Sequence, residues 1–102
     1  MKSKANPEVV SLQKLVDLGD AISNPLRIKI LKTLLEKEWY VYELAQELGI
    51  SRQLLYLHLK KLEKAGLVES DLRLEENRAK KYYWATEFSY KINNELIKEL
   101  EV

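Results

Sequence analysis

The sequence contains no cysteine, and this absence excludes disulfide bonds and thiolate metal sites. It contains one histidine, so a zinc site built from several imidazoles is excluded as well. No apolar run approaches the ~20 residues that span a bilayer, and the polar residues 1–6 do not resemble a secretion signal. We therefore expect no metal, no cofactor and no membrane partner.

Charge of either sign is nearly balanced, since 17 Lys and Arg residues stand against 16 Asp and Glu residues. The net charge of +1 does not by itself indicate a polyanionic partner. Its distribution is more informative, because residues 51–66 and 78–91 each hold four cations and one acid, whereas residues 67–77 hold four acids and one cation. Such patches attract a polyanion, although a solvated helix face has the same composition.

The apolar periodicity predicts one domain, residues 1–102, that is mainly α with a small β-hairpin, in the order α-α-β-α-α-β-β-α. Helices are predicted at residues 8–22 and 87–101, the latter capped by Thr86. Between them, Asn24 and the following proline predict the start of a second helix. On that helix we expect Arg27, with Lys29 and Lys32, to point outward.

A short helix, a glycine turn and a capped second helix occupy residues 42–66. The first helix ends at Gly49, which supplies a left-handed C-cap, and Ser51 caps the second. This order is typical of a helix-turn-helix motif. After Gly66 the apolar period changes from about 3.6 residues to about 2, so residues 67–86 are predicted to form a hairpin, or wing, with a polar turn at 75–79.

The helix that begins at Ser51 has two faces when it is drawn at ~100° per residue. Leu55, Leu59 and Leu62 gather on one of them. The other face is polar, with groups suited to duplex DNA: arginine and glutamine form paired hydrogen bonds with guanine and adenine, and tyrosine and lysine bind phosphate. The predicted DNA contacts are Ser51, Arg52, Gln53, Tyr56 and Lys60, with Arg78 and Lys80 of the wing.

Three features beside these contacts have a second interpretation. Leu57 lies on the polar face, where contact with a thymine methyl group and partial cover by a neighbouring side chain both remain open. His58 lies on the apolar flank, where a packed, hydrogen-bonded role is favoured over a metal ligand. Glu75 and Glu76 repel phosphate, so the wing contributes little, or Arg78 is partly neutralised by them.

The apolar stripes at the two ends of the chain are larger than the core of one domain needs. Left exposed, they would form a patch that monomers seldom tolerate. We therefore predict a two-fold homodimer that forms through the terminal helices. The predicted interface residues are Val9, Leu12, Val16, Phe88, Ile92, Leu96 and Leu100.

Two classes of function agree with these patterns. The first is a transcription regulator that binds duplex DNA through the outward Arg, Gln and Lys side chains. The second is a winged-helix module for protein–protein interaction in a transcription-related assembly, which the acidic wing and the near-zero net charge favour. An enzyme is not expected, because no paired carboxylates, Ser/His/Asp set or phosphate-binding glycine loop is found.

Three segments together resemble the winged helix-turn-helix repressors of the arsenical-resistance (ArsR) family and its archaeal relatives. They are NPLRIKIL (24–31), VYELA (41–45) and SRQLLYLHLKKLEKAGLV (51–68), and the resemblance extends over about residues 20–86. It implies a cytoplasmic, nucleoid-associated homodimer that binds an inverted-repeat operator. Metal-sensing members carry Cys-Val-Cys where this chain has Tyr40-Val41-Tyr42, so the resemblance does not imply metal sensing here.

Overall fold

The computed structural model describes residues 9–102, and its first helix is shorter than the sequence predicted. Helix α1 spans Leu12–Ile22, and the hydroxyl of Ser11 accepts a hydrogen bond from the backbone N–H of Lys14 at 3.1 Å. The prediction of a helix from residue 8 was wrong for the described residues before Ser11. Ser11 offers a capping oxygen and the two valines before it do not, so Val9 lies outside the helix.

Helix α2, Pro25–Glu36, begins where the sequence predicted. The side-chain oxygen of Asn24 accepts hydrogen bonds from the backbone N–H groups of Leu26 and Arg27, at 2.8 and 3.4 Å. The proline occupies the first position of the helix, where no N–H is needed. The two-residue strand β1, Trp39–Tyr40, then leads directly into the next helix.

Helices α3, Val41–Leu48, and α4, Arg52–Lys64, form the helix-turn-helix. Gly49 ends α3 in the left-handed region at φ +68°, which favours glycine. The hydroxyl of Ser51 caps α4 by accepting a hydrogen bond from the backbone N–H of Leu54 at 3.1 Å. Both capping predictions are confirmed, and together they fix where α4 begins.

The wing consists of strands β2, Val68–Glu75, and β3, Arg78–Ala85. The three strands form an antiparallel sheet in the order β1-β3-β2. Only Glu76 and Asn77 connect β2 to β3, and both have positive φ, 52° and 64°. The turn is therefore two residues long, as in the hairpins whose backbone twist matches that of the strands, and the five-residue turn at 75–79 was wrong.

The chain after the wing differs from the prediction of one long helix at 87–101. Helix α5 spans only Asn94–Glu99 and is capped by Asn93. Thr86 does not cap a helix, because the residues that follow it up to Asn93 are not helical; its hydroxyl donates to the carbonyl of Gly66 at 2.8 Å. This contact holds the end of the wing against the start of the wing, and Phe88 and Ile92 lie in the non-helical segment before α5.

The core lies between the helices and the base of the sheet. Leu55, Leu59 and Leu62 of α4 are completely buried, as their common face predicted. Tyr83 of β3 is buried in the same core and packs the wing onto it. None of the helices within residues 9–102 has the length and apolar character to cross a membrane.

Candidate nucleic-acid interface

The outward face of α4 presents a continuous row of side chains to solvent. Gln53, Leu57, Lys60 and Lys64 are all exposed and recur at the spacing of one helical face. Arg52 and Tyr56 lie beside this row on the flank that faces α3 and the wing. The structure thus places Arg52, Gln53, Tyr56 and Lys60 together at the surface, with Leu57 and Lys64 on the same face.

The cations on α4 differ in how far they are already paired. Lys61 donates to the carboxylate of Asp20 at 2.7 Å, and Lys64 lies 3.9 Å from that of Asp17. The hydrogen bond from Lys61 holds the pKa of Asp20 below its ordinary value. Lys60 forms no ion pair within residues 9–102. Lys60 is therefore the lysine of this face whose charge is not compensated by a carboxylate of the described residues.

Leu57 is 63% exposed in the middle of the outward row. Most of this side chain is therefore open to solvent, and any cover by a neighbouring side chain is partial. Its position between Gln53 and Lys60 leaves it where a partner that docks on α4 would touch it. An apolar side chain there can contact the C5-methyl group of thymine in the major groove.

Arg52 makes a specific contact with the preceding helix. Its guanidinium carbon lies 4.1 Å from the ring centroid of Tyr42, which belongs to the first turn of α3. The sequence did not predict this contact, because it joins two helices across the turn. The available signal was the unusual pair of tyrosines, Tyr40 and Tyr42, at the start of α3.

Tyr56 lies in the angle between α4 and the wing. Partial burial, and then the neighbouring tyrosines Tyr83 and Tyr42, raise the pKa of Tyr56 above its ordinary value. Burial also raises the pKa of Tyr83 to about 12. Both phenols therefore stay protonated at neutral pH, and the hydroxyl of Tyr56 remains a donor that can bind a phosphate oxygen.

Arg27 is buried, with 6% of its surface exposed, so its predicted outward position was wrong. Its guanidinium donates to the backbone carbonyls of Asp20 and Ala21, both at 2.9 Å, at the end of α1. A third nitrogen lies 2.9 Å from Nδ1 of His58 on α4. The hydrogen-bonded interpretation of His58 is thereby confirmed, and Arg27 joins α1, α2 and α4.

The two predicted DNA contacts of the wing, Arg78 and Lys80, lie in different environments. Arg78 is exposed at the turn and forms no ion pair within the described part of the chain, although Glu75 is its cross-strand partner. Glu75 instead accepts a hydrogen bond from Tyr82 at 2.9 Å and lies 3.6 Å from the ammonium group of Lys80. Lys80 is half-buried and shares its charge with this carboxylate.

The predicted dimer residues divide into two groups in the single chain. Phe88, Leu96 and Leu100 are half-buried, and Phe88 and Leu96 pack against the core. The others are exposed side chains of the N-terminal segment and of the segment before α5: Val9, Leu12, Val16 and Ile92. A shallow apolar groove lined by Leu18, Leu67, Phe88 and Ile92 runs between these segments.

The start of α3 has aromatic packing at Tyr40 and Tyr42. The rings of Tyr40 and Tyr42 stack with centroids 5.1 Å apart. Among residues 9–102, no three acidic or histidine side chains are grouped so that they could hold a metal ion. Tyr40 and Tyr42 offer ring faces to a cation, not anionic ligands to a metal.

The sequence matches the family described as "Bacterial regulatory protein, arsR family" over residues 24–70, from the cap of α2 to the first residues of β2. An uncharacterized HTH-type transcriptional regulator of Methanocaldococcus jannaschii is 53% identical over 91 residues. The alignment covers 89% of this chain and 96% of that protein.

Two solved structures share the fold. The transcriptional repressor BigR from Xylella fastidiosa has a TM-score of 0.61 and 31% identity, with 74% of this chain and 72% of BigR covered. The homodimeric winged helix-turn-helix DNA-binding domain of a Mycobacterium bovis protein has a TM-score of 0.62 and 30% identity, with 72% of this chain and 65% of that chain covered. The winged helix-turn-helix architecture is thus the fold of this chain.

Proposed function

The chain belongs to the ArsR family of DNA-binding transcriptional regulators, and we propose that it represses transcription as a homodimer on an inverted-repeat operator. The observation that carries this proposal is the outward face of α4. Gln53, Leu57, Lys60 and Lys64 form a row that contains no acidic residue. The leucines on the opposite face of the same helix are completely buried. We place its action in the cytoplasm, at the nucleoid.

In this proposal, α4 enters the major groove with its N-terminus foremost. Arg52 and Gln53, at the first two positions of the helix, are then nearest to the base edges. Arginine pairs with guanine and glutamine with adenine through two hydrogen bonds each. Ser51 and the free N–H groups of the first turn lie where a phosphate oxygen binds favourably.

The remaining contacts are with the DNA backbone. Lys60 lies two turns behind Arg52 and has no acidic partner within the described chain, so its charge is available to a phosphate. Tyr56 adds a hydroxyl donor on the same side. Arg78, exposed at the two-residue turn of the wing, reaches the adjacent minor groove or its phosphates, whereas Lys80 contributes less because Glu75 already binds it.

The homodimer is supported by the uncovered stripe on α1. Leu12, Val16 and Ile22 are exposed large apolar side chains on one side of the helix. Gly19 lies in the same stripe, and a Cβ atom added there would meet nothing within 4 Å, so a second helix has room to approach. The M. bovis domain with the same fold is homodimeric.

Selection of binding sites from random duplex DNA at a fixed salt concentration tests the DNA proposal. We expect enrichment of an inverted repeat whose half-sites lie about one helical turn, ~34–36 Å, apart. A variant with Arg52→Ala and Gln53→Ala provides the matched control and should lose most of this enrichment. Recovery of no common sequence by the wild-type protein would contradict the proposal.

Light scattering tests the homodimer. The chain has a mass of 12.0 kDa, and we expect a particle of twice that mass at micromolar concentration. Val16→Lys should yield the monomer, because Val16 is 55% exposed in the α1 stripe. Leu35→Lys is the matched control: Leu35 is 62% exposed on α2, outside the stripe, and its substitution should leave the mass unchanged.

The interaction-module interpretation is not favoured. The matched family and the M. jannaschii relative are described as transcription regulators. The acidic residues that favoured it are also partly accounted for, because Glu75 binds Tyr82 and Lys80 inside the wing.

A further inference from the structure

We propose that Tyr42 is a positioning residue for base recognition: its ring holds the guanidinium of Arg52 in place before DNA binds. This inference rests on the proposed function, because it assigns Arg52 to a base edge. The inference goes beyond the proposed function because it gives a role in specificity to a residue of α3, the helix that precedes α4. The guanidinium carbon of Arg52 lies 4.1 Å from the centroid of the Tyr42 ring.

The contact leaves Arg52 free to recognise a base. A cation–π interaction draws on the charge of the guanidinium and consumes none of its five N–H donors. No N–H group of Arg52 is hydrogen-bonded to any residue of the described chain. Arg52 can therefore keep its contact with Tyr42 and still donate two parallel hydrogen bonds to guanine.

The ring of Tyr42 is itself held by other aromatic residues. Tyr42 stacks on Tyr40 with centroids 5.1 Å apart, and Tyr40 meets Tyr82 of β3 at 5.8 Å. We call Tyr42, Tyr40 and Tyr82 the tyrosine row. Its far end is fixed by the hydroxyl of Tyr82, which donates to Glu75 at 2.9 Å.

Cations lie over every ring of the tyrosine row. Arg73 stands 4.3 Å from the centroid of Tyr82, Lys80 5.0 Å from that of Tyr40, and Arg52 4.1 Å from that of Tyr42. The row thus connects the wing to the first residue of α4 through rings and charges. Arg73 is in turn fixed by two hydrogen bonds to Glu38, so the row has a rigid base at the wing.

A physical reason for such an arrangement is the entropy of a long side chain. An exposed arginine at the start of a helix samples many rotamers, and these are lost when it pairs with a base. A ring that restricts the guanidinium beforehand reduces this loss on binding. The smaller entropy loss strengthens only those complexes in which Arg52 pairs with a base. It therefore increases discrimination between base pairs and does not strengthen DNA binding in general.

The test compares Tyr42→Leu with Tyr42→Phe, with Arg52→Ala as the reference. Arg52→Ala locates the base pair that Arg52 reads, as the position where substituted operators are no longer discriminated. We expect Tyr42→Leu to reduce discrimination at that base pair about two- to five-fold, the size of an exposed cation–π contact. Tyr42→Phe keeps the ring and should retain wild-type discrimination. Affinity for non-specific DNA should be unchanged in both.

Two measurements separate this proposal from its premise. In the Arg52→Ala background, Tyr42→Leu should cause no further loss; an additional loss would mean that Tyr42 touches DNA itself and would overturn the inference. If Arg52→Ala reduces discrimination while Tyr42→Leu does not, the positioning role is wrong and the DNA proposal stands. If Arg52→Ala changes no discrimination at all, the docking of α4 is wrong as well.

A spectroscopic readout requires no DNA. The Tyr42 ring current should shift the side-chain protons of Arg52 upfield in the NMR spectrum of the free protein. Tyr42→Phe should preserve this shift and Tyr42→Leu should abolish it. Unshifted Arg52 protons in the wild-type protein would overturn the inference even if Tyr42→Leu failed to fold.

Discussion

Arg27 of α2 donates a hydrogen bond to Nδ1 of His58 on α4, with 2.9 Å between the two nitrogens. A guanidinium has no acceptor atom, so Nδ1 must be the unprotonated nitrogen of the ring, and the proton of the neutral imidazole lies on Nε2. A second proton on His58 would therefore displace Arg27. The packing of α4 against α2 therefore depends on the charge of His58.

We expect the free energy of unfolding to decrease as the pH falls from about 7 to about 5. Burial, and then the charges of Arg27 and Lys61, hold the pKa of His58 below its ordinary value. The unfolded chain then binds this proton more readily than the folded chain. The contribution of His58 is complete above its unfolded pKa of about 6.5 and is lost progressively below it. Urea denaturation at a series of pH values measures it.

His58→Gln is the control for this pH dependence. The chain has one histidine, so the variant removes all imidazole titration and should flatten the curve between about pH 7 and 5. Asp20 and Glu38 have lowered pKa values, through hydrogen bonds from Lys61 and Arg73, and their contributions are lost only at lower pH. An unchanged curve in His58→Gln would contradict the role of His58.

Arg27→Met should lower the free energy of unfolding by about 2–4 kcal/mol, because two backbone carbonyls and Nδ1 of His58 lose a charged donor in a buried site. Lys29→Met, on the exposed side of the same helix, should change it by less than about 0.5 kcal/mol. Denaturant titration of the two variants provides the comparison, and equal losses would show that Arg27 has no special structural role.

Lys60→Ala should weaken binding to all duplex sequences by a similar factor and reduce the salt slope by about one unit. The reason is that Lys60 has no acidic partner within residues 9–102 to compete with a phosphate. Kd measured at several salt concentrations gives the slope. Lys98→Ala, on α5, should leave the slope unchanged. A loss confined to one operator sequence would instead indicate a base contact.

Leu57 should distinguish thymine from uracil. Removing the methyl group from the contacted thymine should weaken binding of the wild-type protein roughly fourfold, the effect of about 0.8 kcal/mol for one buried methylene-sized group. Leu57→Ala should show no such difference between the two operators. Scanning the operator with single uracil substitutions identifies the position, and equal affinities at every thymine would exclude the contact.

Stability separates Leu57 from its neighbour Leu59. Leu59 is completely buried, so Leu59→Ala should cost about 2–5 kcal/mol. Leu57→Ala should cost less than about 0.5 kcal/mol, because the side chain is mostly in solvent. Any loss of DNA binding in Leu57→Ala can then be assigned to the interface.

The sequence by itself determined where most helices begin and end and which face of α4 is buried. Asn24, Gly49 and Ser51 act on backbone groups within three or four residues, so the helix ends they form can be predicted from the local sequence alone. The leucines of α4 follow one helical period, which indicated both the core face and, by exclusion, the exposed face that we propose contacts DNA. These local rules were sufficient for the architecture and for most of the candidate interface.

Only the tertiary structure decided how distant residues use their polar groups. Arg27 points inward because carbonyls from α1 and a histidine from α4 meet it there. Thr86 donates to the carbonyl of Gly66, twenty residues earlier, where the sequence predicted a helix cap. Tyr42 meets Arg52 because the turn at Gly49 brings two helices together. Such contacts depend on how the elements pack, and no periodicity or capping signal in the chain encodes them.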